Sequence, residues 1–220
     1  MKRLIVIVEG QTEEEFVNNL LCPYLEKFAI YDVRAIKIQT SRGYKGGVVN
    51  YEHFKRDIST ILKREQAIVV TSLIDFFRLP TNFPGYFSAL KMSDVAKRAD
   101  FLQSQIALDI PDRRFMPYLQ LHEIEGLLFS DINGFKYLGS IISIKALAEI
   151  EEIIRIYPNP ELINEGADTA PSKRLAKIMP GYQKVLHGPI IALDNGMEKI
   201  MEKCPRFKAW VEKCIFMLLH

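Results

Sequence analysis

Cysteine is scarce in this chain: three residues, Cys22, Cys204 and Cys214, odd in number and far apart, with no CxxC pair. That spacing supports neither a zinc knuckle nor a disulfide framework. Long apolar runs are missing too. The first covers five residues and lacks a cleavage site, so it does not read as a secretory leader. None approaches the roughly 20 residues that a membrane helix needs. No membrane partner is expected, and the chain reads as cytoplasmic. There is no GxGxxG and no Walker loop, which argues against a nucleotide-binding domain. Repeats and low-complexity tracts are absent. The net charge of +2 is too small for wholesale coating of nucleic acid, although it leaves room for a local basic patch.

What is present suits a packed core. Of 220 residues, 48% are hydrophobic and 25% charged, which predicts one domain spanning 1–220, with an α/β core over about 1–130 and a helical extension over about 131–220. The chain is organised around its opening stretch. Leu4 to Val8 is a continuous apolar run rich in β-branched residues, as in a central strand covered on both faces. It ends on Glu9, Gly10 permits a tight turn, and Thr12 with Glu15 reads as a capping box that starts a helix. Glu9 therefore belongs at the carboxyl end of a strand, where open α/β sheets place their chemistry. Glu14 and Glu15 are explained by the helix dipole alone. Glu13 is not, because it shares a face with Phe16, Val17 and Leu20. A carboxylate there, close to Glu9, repels it unless a cation lies between them.

Further on, a helix over about 12–28 is expected to break or bend at Pro23. Strands follow over 33–38, 67–75 and 114–121, the last at an edge or bulged because of Pro117. A glycine-rich loop over 40–50 carries Arg42 and Lys45, and helices are predicted over 51–64 and 93–108. A short helix begins near His122. Beyond Asp131 the pattern is mainly helical, clearest over 143–156, 172–178 and 206–219. Strands alternating with helices indicate a mostly parallel, Rossmann-like sheet flanked by helices.

Strands one, three and four each deliver acid at or just past their carboxyl ends: Glu9, Asp75, and the pair Glu123 and Glu125. Oxygen donors without a cysteine or histidine cluster suit Mg²⁺ or Mn²⁺. Such ions polarise phosphoryl oxygens and lower the pKa of bound water, so phosphodiester chemistry is the natural expectation. If helical, Glu123 and Glu125 point ~200° apart, so at most one of them faces Glu9. His122 reads either as a hydrogen-bonded boundary residue or as a site residue. Lys173 and Arg174, at a helix start, and Arg42 and Lys45, in the glycine-rich loop, are the candidates for contacting the phosphates of DNA or RNA.

Val8-Glu9-Gly10-Gln11-Thr12-Glu13 resembles the opening motif of Toprim domains, particularly those of overcoming-lysogenization-defect nucleases. Leu73-Ile74-Asp75, Phe76-Phe77, and His122-Glu123-Ile124-Glu125-Gly126 resemble, in that order, an uncharacterised bacterial Toprim-like family often linked to phage defence. The resemblance runs to about Lys173. It implies a Toprim-like fold, one or two divalent cations, and strand cleavage. By position it implies Glu9 as the strand-end acid for metal or acid–base work, and Glu13 and Asp75 as metal ligands. Glu125 matches the later acid, with Glu123 as the alternative, and Lys173 falls at the late lysine that stabilises phosphate charge. One departure stands out: many Toprim domains have Asp-x-Asp on the third strand, whereas the second position here is Phe77. Overcoming-lysogenization-defect nucleases also carry an ATPase, so any ATPase here must come from a partner protein. The first expectation is a metal-dependent nuclease, for which a homodimer is allowed. The second is a non-catalytic binding or regulatory subunit of an ATPase-containing complex.

Overall fold

A computed structural model describes residues 2–41, 44, 45, 50–77, 79–163, 166 and 168–220, with backbone only at 39–41, 44 and 45. The opening run forms β1 (Arg3–Val8), whose side chains alternate between two cores. Leu4, Val6 and Val8 enter one of them, and Ile5 and Ile7 the other. That two-sided burial is why the strand is apolar throughout.

The first helix, α1 (Gln11–Phe16), starts earlier than the Thr12 capping box predicts, with Gly10 as the N-cap residue. It does not break at Pro23. A π-turn over Val17–Leu21, closed by Cys22 N–H donating to the Val17 carbonyl, leads into α2 (Cys22–Glu26). The wider turn ends where proline, lacking an N–H, can begin the next helical segment without clashing behind it.

Next come β2 (Val33–Lys37), β3 (Gln39–Ser41), β4 (Tyr44–Lys45) and α3 (Tyr51–Arg64). The predicted loop over 40–50 thus contains part of a small antiparallel ribbon, β3 with β4. Then follow β5 (Ile68–Asp75), α4 (Tyr86–Ala89), α5 (Val95–Asp109), and two short strands on either side of Pro117, β6 (Phe115–Met116) and β7 (Leu119–Gln120). A 3₁₀ turn, Ile124–Ser130, leads into α6 (Asn133–Lys136), α7 (Ile144–Ile156), α8 (Pro171–Ile178), α9 (Lys184–Lys203) and α10 (Pro205–Leu219).

Strand order is β2-β1-β5-β6, with β7 also paired to β5, and every pairing in this sheet is parallel. Helices α3 and α5 cover one face with Phe54, Ile58, Leu102 and Ile106. The opposite face holds Phe16 and Val17 together with Ile191, Phe207 and Trp210 from the C-terminal helices. Trp210 fastens α10 to the sheet: its Nε1 donates to Thr71 Oγ1 at 2.8 Å, and its ring stacks on Tyr118 at 4.7 Å. The helical C-terminal part is therefore one of the sheet's two coats.

Candidate functional site

The chain leaves β1 for β2 on one side and then crosses back over β1 to β5 on the other. The strand order thus reverses between β1 and β5, and in open parallel sheets the crevice at the carboxyl ends of such a pair is where ligands bind. Val8 stands opposite Leu73 in the register. Glu9 and Asp75, one and two residues further along, therefore flank that crevice.

Each acid is held differently. Glu13 folds back over the turn, and its Oε2 accepts from Gly10 N–H at 2.9 Å. A Cβ on residue 10 would lie 3.2 Å from that oxygen, so Gly10 is suited by close approach rather than by its extended backbone. Asp75 Oδ1 accepts from Ile124 N–H at 3.1 Å, which ties the end of β5 to the start of the 3₁₀ turn. That turn carries Glu125 inward, where it is 1% exposed. Lys184, the first residue of α9, reaches between the carboxylates. Its Nζ lies 3.0 Å from Glu125 Oε1 and 3.9 Å from Glu13 Oε1. The Glu125 contact is an ion pair without directed hydrogen-bond geometry, and Glu125 Oε2 has no hydrogen-bond partner among the described residues.

The charges feel one another. Burial, then the charge of Glu13, pushes the Glu9 carboxyl up to about 7, with Lys184 opposing. Asp75 is raised well above the usual carboxylate range by burial and by Glu13, Glu125 and Glu9. Burial raises Glu125 as well, against the pull of Lys184. Burial would lower the Lys184 ammonium, but Glu125, Asp75 and Glu13 outweigh it and hold the group above the ordinary lysine range. Several carboxylates thus share Lys184, and their mutual repulsion and burial favour the protonated forms.

Glu9, Glu13, Asp75 and Glu125 are gathered at one rim of the sheet. Among the described residues, however, no three acidic, histidine or cysteine side chains stand close enough together to hold a metal ion as arranged. Glu123 Oε2 accepts from Ser172 N–H at 2.9 Å and caps α8, while its charge still raises the carboxyls of Glu9 and Glu125. Of the two glutamates, Glu125 is the one that meets Lys184. His122 adopts a left-handed backbone (φ 64°), is buried, and has its imidazole pushed down to about 4 by desolvation.

Lys173 is paired with the exposed Asp168 at 3.3 Å, and the lysine within the acidic cluster is Lys184 instead. Arg174 is a structural strut. It donates to the carbonyls of Thr169 (2.8 Å) and Ile163 (3.2 Å) and lies over the Tyr157 ring. Arg42 lies outside the described residues, and Lys45 is on β4 with only its backbone described.

Lys184 has no counterpart among the residues that the sequence pattern singles out, because Pro189 and two glycines hide the helix that carries it. The available signal is its spacing. His187, Gly188, Ile191, Ala192 and Asn195 are buried at helical intervals, and Lys184 begins that face. Glu161 is another buried acid that the sequence pattern does not single out. Its two oxygens accept from Arg206 N–H at 2.9 Å and Phe207 N–H at 3.0 Å, capping α10.

A family model described as a domain of unknown function, DUF4276, matches residues 8–214. Comparison with curated protein sequences finds no match. Among solved structures, the C-terminal region of the Burkholderia pseudomallei OLD protein is similar at 15% identity and a TM-score of 0.48, covering 99% of this chain and 97% of that one. No helix among the described residues is long and apolar enough to cross a membrane.

Proposed function

The chain belongs to the DUF4276 family, and we propose that it is a divalent-metal-dependent nuclease of the Toprim type, working in phage defence beside an ATPase on a separate polypeptide. The observation that carries this reading is the gathering of Glu9, Glu13, Asp75 and Glu125 around Lys184 at the strand-order reversal. A carboxylate cluster in excess over the one ammonium that reaches it among the described residues, with a Glu125 oxygen that has no hydrogen-bond partner among them, is a set of hard donors short of positive charge. Mg²⁺ or Mn²⁺ would be held by Glu9, Asp75 and one or both of Glu13 and Glu125, after these side chains draw together. When bound, the ion supplies polarisation of a phosphoryl oxygen and a more acidic water. Lys184 places positive charge where a phosphodiester gains negative charge. Without metal, burial and the charge of Glu13 push Glu9 up to about 7; a bound cation would favour its carboxylate, so metal uptake would release a proton from it. The ATPase partner and the defence setting rest on the Toprim-like sequence motifs.

One observation favours a second reading. With Lys184 already lodged among the acids, and no three ligands converged among the described residues, the site also suits a non-catalytic subunit whose ammonium stands where a nuclease holds its ion. Incubation with plasmid, single-stranded DNA and RNA in Mg²⁺ or Mn²⁺ separates the two, together with calorimetry of the metals alone. Cleavage lost in Glu9→Ala and Asp75→Ala supports the nuclease. Cleavage unchanged in both variants removes it, and no heat of metal binding leaves the second reading.

A further inference from the structure

Beside the acidic cluster lies a cavity of about 270 Å³ that none of the roles above uses; Phe76, Phe77, Tyr86, Leu90, Arg98 and His122 are among its lining. Chain continuity ties it to the site, since Phe76 and Phe77 directly follow Asp75, and His122 directly precedes Glu123. Two further bonds fix the wall: Phe76 N–H donates to the Gln120 carbonyl at 2.8 Å, and Phe77 N–H to the His122 carbonyl at 3.0 Å.

Two polar atoms of this lining are buried and have no hydrogen-bond partner among the described residues: His122 Nε2 and Arg98 Nε. His122 is 6% exposed, and its left-handed backbone is rare for a residue with a side chain. The Arg98 guanidinium is anchored from its other side, where Nη2 donates to the Met92 carbonyl at 2.6 Å. Buried polar atoms are rarely left unmet, so two such atoms in one aromatic-walled cavity equip it to receive a molecule with polar edges.

Its chemistry follows from the walls. Flat apolar faces on Phe76, Phe77 and Tyr86 call for a π-system. Arg98 Nε–H calls for an in-plane acceptor. His122 Nε2, donor or acceptor by tautomer, calls for a second polar edge atom. The volume falls just under the ~300 Å³ at which pockets for drug-sized molecules begin, which suits one ring system. We infer that this cavity receives a single unstacked nucleobase of a single-stranded nucleic acid whose backbone crosses the Glu9–Asp75 crevice. The inference rests on the nucleic-acid reading above and adds to it a base-reading subsite.

The test uses the full chain in EDTA, so that binding is read without cleavage. Fluorescence anisotropy compares labelled single strands of about twelve nucleotides, DNA and RNA, with an abasic sugar–phosphate strand of equal length. Stacking on an aromatic side chain predicts that base-bearing strands bind about tenfold tighter or better, and that Phe77→Ala loses most of that margin. His122→Ala and Arg98→Ala are expected to flatten the preference among homopolymers of the four bases. Equal binding of abasic and base-bearing strands by the wild-type protein overturns the inference, with water then filling the cavity. The wild-type comparison does not depend on any variant folding. Base-dependent binding without metal-dependent cleavage keeps the subsite and removes the nuclease; cleavage with no base dependence does the reverse.

Discussion

Lys184 Nζ and Glu125 Oε1 face each other at 3.0 Å although 59 positions separate them, the lysine 38% exposed and the glutamate almost fully buried. The pair makes the acidic rim tolerable. Without its cation, the rim would be a buried cluster of like charges, able to stay folded only by binding protons or another ion.

Lys184→Met should therefore destabilise the metal-free protein by about 3 kcal/mol at pH 8, the low end for orphaning a buried charge. The loss should shrink towards pH 5. Removing the ammonium raises the pKa of its carboxylate neighbours, so the folded state then holds protons that the unfolded chain has shed. Adding Glu125→Gln should recover much of the loss. Urea denaturation of the two single variants and the double variant measures the coupling, and additive effects would contradict the pairing.

Glu9 predicts a second pH effect. Its carboxyl is raised to about 7 in the folded protein, against ~4.3 in an unfolded chain. Between those values the folded state binds more protons, so stability falls as pH rises, and the penalty stays in full above about 7. After allowance for partial exposure it is about 2 kcal/mol. In a chelator, Glu9→Gln should raise Tm by about 4–8 °C at pH 8, with the gap closing towards pH 5. A wild-type protein that melts no lower than the variant at pH 8 would contradict this placement of Glu9.

Glu161 and Glu123 predict a difference in cost between two helix caps. Glu161 serves two N–H groups of α10 and is 1% exposed, whereas Glu123 serves one of α8. Glu161→Ala leaves one buried and one part-buried donor unmet, at ~1–3 kcal/mol for the buried one and less for the other, and Glu123→Ala leaves a single part-buried one. Thermal melts should place Glu161→Ala clearly lower, and equal losses would refute the two-bond cap.

Gly134 predicts a steric failure. A Cβ there would sit 2.5 Å from the Ile191 carbonyl and collide with Asn195 Oδ1, both on α9. The Ile191 atom is backbone, so the helices must part. Gly134→Ala should cost about 3 kcal/mol, at the upper end of ordinary overpacking, despite alanine's better helix propensity. A variant as stable as wild type would show that α6 and α9 are not so closely packed.

Much of the fold is legible in the residues because it rests on local patterning. The apolar run ending at Val8, the run from Ile68 to Asp75 and the face of Tyr51–Arg64 each state their element through period and punctuation. Pro117 marks the break between β6 and β7. The site is half legible: strand-end position picks out Glu9 and Asp75, but spacing alone does not say which of Glu123 and Glu125 turns inward. At Pro23, where the missing N–H predicts a break or a bend, the helical path is interrupted by a π-turn and resumes.

The sequence by itself determined the two central strands, β1 and β5, and that an acid sits at the end of each, since both follow from side-chain type and spacing along one stretch of chain. Only the tertiary structure decided the strand order that sets Glu9 beside Asp75, the bond that ties Glu123 to the start of α8, and the arrival of Lys184 among the carboxylates. These are contacts between residues far apart in the chain. They depend on how elements pack and cross, and no local pattern encodes that.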